Sequence, residues 1–138
     1  MDEIIVYVEA EINPTESEDK VKRAVENIFG NIAMQIKPSY KGSILTAETK
    51  GREMLTKLYH LLRRERIRSA ARKALFQGLK GTTISFYLNK QVAFAGHVSF
   101  SEEVAESPLG PIKVKIECQD PRPLIDWLAP RTARNGRC

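Results

Sequence analysis

The spacing of the apolar residues changes abruptly near the start of the chain, and this change restricts the fold more than any other feature. Between residues 4 and 12, every second residue is apolar, namely Ile4, Val6, Val8, Ala10 and Ile12, while Tyr7, Glu9 and Glu11 fall on the other face. This pattern is typical of a strand with one buried face. After Asn13-Pro14, apolar residues recur at helical spacing up to Gly30. A strand followed by an amphipathic helix favours a fold in which helices pack against a sheet.

Two shorter strands are predicted next, IAMQIK and SILTAET, separated by a turn at PSYKG. Helical spacing of apolar residues then extends to Leu62 and resumes at Ile67, but the two series do not share a face. On one straight helix, Leu75 would lie over the face of Arg64. The sequence therefore predicts a break between Arg63 and Ile67 that divides this region into two helices.

The stretch TTISFYLNKQVAFAGHVSF, residues 82 to 100, alternates twice and is interpreted as a β-hairpin. Side-chain parity requires a turn at Asn89 to Gln91 and would place Phe86 opposite Phe94. The outward face of this hairpin would then show Thr83, Ser85, Tyr87, Ala93, Ala95, His97 and Ser99.

The rest of the chain is predicted to contain a loop at SEEVAESPLGP, a strand at IKVKIEC and a short helix at PLIDWL. The order of elements predicts an α+β fold with helices packed on a largely antiparallel sheet. At 138 residues the chain is long enough for one domain, predicted to cover residues 1–130. A flexible C-terminal tail is expected at residues 131–138.

Composition indicates a soluble globular protein, with 42% hydrophobic and 28% charged residues. No apolar run is long enough to span a membrane, and the acidic start MDEIIVYVEAEI lacks the basic leader of a signal peptide. A cytoplasmic location is therefore expected.

Residues that could carry catalysis or bind a cofactor are few. The two cysteines have no metal-ligand neighbours at a useful spacing, and Cys118 alternates with apolar residues as a core thiol would. His60 and His97 are interpreted as surface residues. Because the chain has no nucleophile elbow, phosphate-binding loop or dinucleotide-binding glycine pattern, neither a cofactor nor an enzymatic activity is expected.

Basic side chains concentrate in the middle of the chain. Residues 41 to 80 hold eleven basic and three acidic side chains, although the whole chain carries a net charge of only +5. An anionic partner would sense this local potential within about 8–10 Å. Arginine predominates, and its planar donor fork suits phosphate and stacks on bases. The sequence therefore predicts a non-catalytic RNA-binding protein that contacts phosphate through Arg63, Arg64, Arg66, Arg68, Arg72 and Lys73, with Tyr87 as a base-stacking residue.

Other interpretations fit the same residues. Charged helix faces are often merely solvated, and arginine stems also cover apolar surface. A protein-interaction subunit of an RNA-processing assembly could use the basic region to dock an acidic partner without binding RNA itself. Hairpin or edge strands could also pair with a second copy of the chain and give a homo-oligomer.

Five segments carry a family resemblance, namely NPTESEDKVKRAVENIFG, RIRSAARKALFQGLKG, TISFYLNKQVAFAGHVSF, ESPLGPIKVKI and LIDWLAP. Within them, FYLNKQ-AF, SPLGPI and DWLAP are specific as a set. Through them, roughly residues 4 to 132 resemble the archaeal uncharacterised protein family 0201, described as predicted RNA-binding proteins and candidate exosome-associated subunits. The resemblance implies an α+β fold similar to that of the large-subunit ribosomal protein that binds 5S RNA. It supplies no catalytic residue.

Overall fold

Seven strands form one sheet in the computed structural model, which describes residues 4–40, 42–101 and 110–131. In chain order, the strands are β1 (Ile4–Ile12), β2 (Met34–Ser39), β3 (Gly42–Lys50), β4 (Leu79–Lys80), β5 (Thr83–Asn89), β6 (Phe100–Ser101) and β7 (Pro111–Cys118). All neighbouring strands are antiparallel, in the order β2-β3-β1-β7-β5-β4, with β6 beside β5.

The helices cover one face of this sheet. Their buried side chains and alternate residues of the strands belong to a single apolar cluster, which on β1 includes Val6 and Val8. Strand residues of the opposite parity form the other face, which we call the open face, and none of those described is buried. The helices are α1 (Glu18–Phe29), a 3-10 turn (Arg52–Leu55), α2 (Thr56–Arg64), α3 (Arg68–Gln77), α4 (Lys90–Phe94) and α5 (Pro121–Leu128). The prediction of an α+β fold with an antiparallel sheet is confirmed.

The predicted break between the two central helices is also confirmed. α2 ends at Arg64, and Arg66 takes a left-handed conformation with a φ of 58°. The Ile67 N–H donates to the Leu62 carbonyl at 3.2 Å, and the Arg66 N–H donates to the Arg63 carbonyl at 3.2 Å. These two hydrogen bonds are those of a Schellman motif, in which apolar residues such as Leu62 and Ile67 contact each other across the end of the helix. The turn therefore lets α3 start in a new direction, with Leu75 buried.

The predicted hairpin at residues 82 to 100 is wrong in its second half. β5 ends at Asn89, whose side chain accepts a hydrogen bond from the Val92 N–H at 2.9 Å, and α4 follows directly. An asparagine at this position caps a helix, so the chain leaves the sheet instead of turning back along it. Ala93 is consequently buried, and Phe86 packs on Phe100 at 5.8 Å rather than on Phe94. Tyr87 lies on the open face, as predicted.

A buried lysine fixes α4 to the start of the fold. The Lys90 side chain is 4% exposed, and its ammonium donates to the Glu11 carbonyl at 2.6 Å. It also lies 3.1 and 3.3 Å from the two carboxylate oxygens of Glu16, which is 11% exposed. Since a buried charge requires such partners, residue 90 cannot serve as an exposed turn residue.

The strand β2 lies at one edge of the described sheet, where it pairs with β3. Pro38 occupies this strand opposite Ser43. Proline has no N–H to donate to a neighbouring strand. It is tolerated in an edge strand because the position of the missing N–H can face solvent.

The predictions for Cys118, the loop, the C-terminal tail and the single domain have different outcomes. Cys118 is 4% exposed, which confirms that it is a core thiol. Residues 102–109 and 132–138 lie outside the described residues, so the predicted loop and flexible tail stay predictions. The same holds for a single domain over residues 1–130.

Candidate nucleic-acid interface

The structure gives Arg63 an internal role. One of its terminal nitrogens donates to the carbonyls of Tyr59 at 3.1 Å and Leu128 at 3.2 Å, and the other donates to the Trp127 carbonyl at 3.2 Å. Its guanidinium carbon lies 3.5 Å from the centre of the Tyr59 ring. Because Trp127 and Leu128 form the end of α5, Arg63 satisfies helix carbonyls that would otherwise lack donors.

Arg64 and Arg72 are partly engaged. Arg64 donates to the Gly96 carbonyl at 2.9 Å, yet 61% of its side chain is exposed. Arg72 lies 2.7 Å from the Asp126 carboxylate and donates to the Ala129 carbonyl at 3.1 Å, with 20% of its side chain exposed. These contacts orient both guanidinium groups and leave part of each open to solvent.

A carboxylate lowers the positive potential at the turn between α2 and α3. Glu65 lies 2.5 Å from Nδ1 of His97, 3.3 Å from the Val98 N–H and 3.4 Å from Arg64. Partial burial would raise the pKa of Glu65, but these contacts outweigh it and hold the pKa below its usual value. The group therefore stays ionised beside Arg64. His97 is exposed, as predicted, but not on the sheet.

We call residues 63–73 the basic run, and its remaining cations lie on or beside α3. Arg66 and Lys73 are exposed, and Arg68 is half-buried. Lys73 borders a shallow groove of about 390 Å³, which we call the α3 groove. Its lining residues are Ser69, Arg72, Lys73, Phe76, Pro130 and Arg131.

An aromatic ring lies close to two arginines at this groove. The Arg72 guanidinium is 4.9 Å from the centre of the Phe76 ring, and that of Arg122 on α5 is 5.6 Å away. The described lining contains three cations and no carboxylate. The Asp126 carboxylate, which is 61% exposed, lies beside the lining and is paired with Arg72 at 2.7 Å. A surface of this kind attracts phosphate and offers planar groups for a base.

Sequence reasoning missed Phe76, Arg122 and Arg131 as part of this site. Phe76 could have been found, since it follows Arg72 by four residues and therefore lies on the same face of the helix. Arg122 and Arg131 come from a segment about fifty residues further along the chain, and only the packing of α5 beside α3 brings them there.

Tyr87 lies apart from the α3 groove, on the open face. A second tyrosine, Tyr7, lies on the same face, one strand beyond the lysines Lys113 and Lys115 of β7. Around Tyr7 the face has a concavity of about 600 Å³, lined also by Glu9, Gln35, Lys37, Thr46 and Glu48. The predicted site residues therefore occupy two separate surfaces.

Two further findings concern other classes of function. Among the described residues, no group of three or more His, Cys, Asp or Glu side chains is placed to hold a metal ion. No helix in the described ranges is both long enough and apolar enough to cross a membrane.

Comparison with known proteins places the chain in a family. Residues 5–118 match a family model whose description is RNA binding. A UPF0201 protein from Sulfurisphaera tokodaii is 46% identical over 129 residues, covering 94% of this chain and 89% of that protein. A UPF0201 protein from Sulfolobus acidocaldarius is 45% identical over 129 residues, again covering 94% of this chain and 89% of that protein. The chain belongs to this archaeal family, the UPF0201 proteins.

Solved structures agree with the fold described above. The crystal structure of a UPF0201 protein from Methanococcus jannaschii is 34% identical, with a TM-score of 0.82, and the match covers 91% of this chain and 99% of that one. A protein from Archaeglobus fulgidus, 22% identical with a TM-score of 0.63 over 89% of this chain and 92% of that one, shares the fold. The expected similarity to the 5S-RNA-binding ribosomal protein stays a prediction.

Proposed function

We propose that this protein binds RNA without catalysing a reaction, and that the α3 groove supplies the main phosphate contacts. The observation that carries this proposal is the cluster of Arg72, Lys73, Arg122 and Arg131 around Phe76, with no carboxylate in the described lining. The description of the family model supports the same class of ligand.

Within the basic run, the cations divide into three groups by their contacts. Arg66, Arg68, Lys73 and the exposed part of Arg64 are free to approach a phosphate backbone along the outer side of α2 and α3. Arg72 contributes one edge of its guanidinium, and Arg63 supports the fold beneath them. Contacts of this type position an RNA strand without reading its sequence.

Salt dependence tests the proposal directly. If four or five of these cations neutralise phosphates of a single strand, the logarithm of the affinity should fall with the logarithm of the salt concentration at a slope of about −3. The measurement is fluorescence anisotropy of a labelled oligouridylate over a salt series. An affinity that does not change with salt would overturn the proposal and leave the basic surface to an acidic protein partner.

A paired variant locates the contacts. Lys73→Gln together with Arg131→Gln should reduce the affinity by about tenfold or more and make the slope shallower by about 1.4, because two phosphate contacts are lost. Lys22→Gln with Arg23→Gln makes the same charge change on α1, which does not line the groove, and should leave the slope nearly unchanged. Equal effects of the two pairs would show that net charge, and not the α3 groove, determines the binding.

A further inference from the structure

The open face has an arrangement of side chains that suits one nucleotide. Tyr7 on β1 lies directly opposite Glu48 on β3 and opposite Lys115 on β7. Lys113, two residues before Lys115, points to the same face. We call Tyr7, Glu48, Lys113 and Lys115 the Tyr7 cradle. Tyr7 therefore has Glu48 on its β3 side and Lys113 and Lys115 on its β7 side. The Lys115 ammonium also lies 3.9 Å from the Glu117 carboxylate.

The backbone of Tyr7 is fixed, and its ring is partly open to solvent. β1 pairs with a strand on each side, so the backbone of Tyr7 is fixed by both neighbours. The ring is half-exposed, and the Lys115 ammonium lies 5.8 Å from its centre. Desolvation, followed by the carboxylates of Glu48 and Glu117, raises the pKa of Tyr7, so the ring stays neutral and suited to stacking.

From this arrangement we infer that the Tyr7 cradle binds an unpaired guanine of an RNA strand, an inference that rests on the proposed RNA binding. The base stacks on Tyr7, its pairing edge meets Glu48, and the adjoining phosphate meets Lys113 and Lys115. An unpaired base is required because the faces of a paired base are covered by its neighbours in the helix.

Guanine is favoured by the chemistry of the carboxylate. An ionised carboxylate only accepts hydrogen bonds, and its two oxygens can accept two parallel ones. The pairing edge of guanine carries two adjacent donors, N1–H and the 2-amino group, which match this geometry. Uracil, cytosine and adenine each place an acceptor beside their single donor, so one carboxylate oxygen would face a lone pair.

The other residues of the concavity fit the same orientation. Gln35 on β2 and Thr46 on β3 lie in one row of the sheet beyond Glu9, on the side away from Lys113 and Lys115. Lys37 follows Gln35 by two residues and lines the same side. The amide and hydroxyl groups of Gln35 and Thr46 can hydrogen-bond a base edge, whereas Lys113 and Lys115 suit the backbone. Tyr87 lies two β-strands away from Tyr7 and is shifted by two residues along the sheet, which puts it about 12 Å away by strand geometry. It would therefore hold a different base of the same RNA strand.

The test compares oligouridylates that differ in one central nucleotide. Wild-type protein should bind the strand with one guanosine about tenfold more tightly than all-uridine, and inosine, which lacks the 2-amino group, should lose most of that gain. Glu48→Gln should abolish the preference, whereas Glu11→Gln, a carboxylate elsewhere on the open face, should retain it. Equal affinity of the wild type for guanosine and uridine strands would overturn the inference.

Additional binding measurements distinguish a failure of this inference from a failure of the proposed function. Tyr7→Ala should weaken single-strand binding about tenfold and leave duplex binding unchanged, with Tyr7→Phe close to wild type. The Lys73→Gln, Arg131→Gln pair should weaken both kinds of RNA. Salt-dependent binding that is unaffected by Tyr7→Ala would overturn the cradle and keep the groove. Guanosine monophosphate that binds as tightly as the guanosine strand would assign the cradle to free nucleotides and overturn its role in RNA binding.

Discussion

Replacing Lys90 by methionine is expected to lower the free energy of unfolding by about 3–5 kcal/mol, the usual cost of removing one partner of a buried ion pair. The ammonium of this residue is 4% exposed and holds both the Glu11 carbonyl and the Glu16 carboxylate. Methionine has a similar length but no donor, so a carboxylate that is only 11% exposed would lose its countercharge. Urea denaturation followed by circular dichroism gives the value.

Two control variants make this result specific. Adding Glu16→Gln to Lys90→Met should restore part of the lost stability, because the remaining group is then neutral. Lys80→Met, which changes an exposed lysine of β4, should alter the free energy of unfolding by less than about 0.5 kcal/mol. A loss below about 1 kcal/mol in Lys90→Met would contradict the role assigned to the buried ammonium.

The same pair predicts the pH dependence of stability. Burial alone would raise the pKa of Glu16, but hydrogen bonds from Asn13 and Lys90 and the positive charge of Lys90 lower it overall. A carboxyl group whose pKa is lower in the folded state stabilises the fold above its unfolded pKa of about 4.3. This contribution should be lost as the pH falls through the folded pKa. In Glu16→Gln, the stability measured between neutral and acidic pH should fall less steeply than in wild type.

Replacing Arg63 by methionine is expected to cost about 2–3 kcal/mol of stability while leaving the RNA affinity of the folded protein nearly unchanged. The guanidinium donates to three backbone carbonyls, two of them at the end of α5, and hydrogen bonds from a charged group are worth about 1.5–3 kcal/mol. Arg63→Lys should recover only part of the loss, since an ammonium cannot reproduce the planar fork. Denaturation and anisotropy measurements on the same samples separate the two effects.

The control here is Arg23→Met, which removes an exposed arginine from α1 and should change stability by less than about 0.5 kcal/mol. A stable Arg63→Met variant with strongly reduced RNA affinity would show instead that Arg63 contacts the ligand, as the sequence alone suggests.

Regular spacing made most of the fold predictable. The alternation in β1, β5 and β7 assigned the two faces of the sheet, because side chains in a strand alternate with period two. The change of phase between Leu62 and Ile67 predicted the break between α2 and α3. The prediction of the second half of the hairpin was wrong because the alternation of side chains was assumed to continue past Asn89. That assumption ignored the capping role of Asn89 and the distant partners of Lys90.

The candidate site was less predictable, because sequence proximity does not reveal which charges are already used. Arg63 finds acceptors 64 and 65 residues away, and Arg72 finds Asp126 at a separation of 54 residues. These partners depend on where α5 packs. The basic run could therefore be located from the sequence, whereas its division into supporting and accessible arginines required the structure.

The proline in β2 has a consequence for growth of the sheet. A strand added outside β2 would need N–H donors along that strand, and Pro38, the fifth of its six residues, has no N–H to donate. The flanking Lys37 is exposed, so stacking copies side by side would also bring like charges together. Both features disfavour the addition of further strands at this edge, and therefore the growth of continuous fibrils from it.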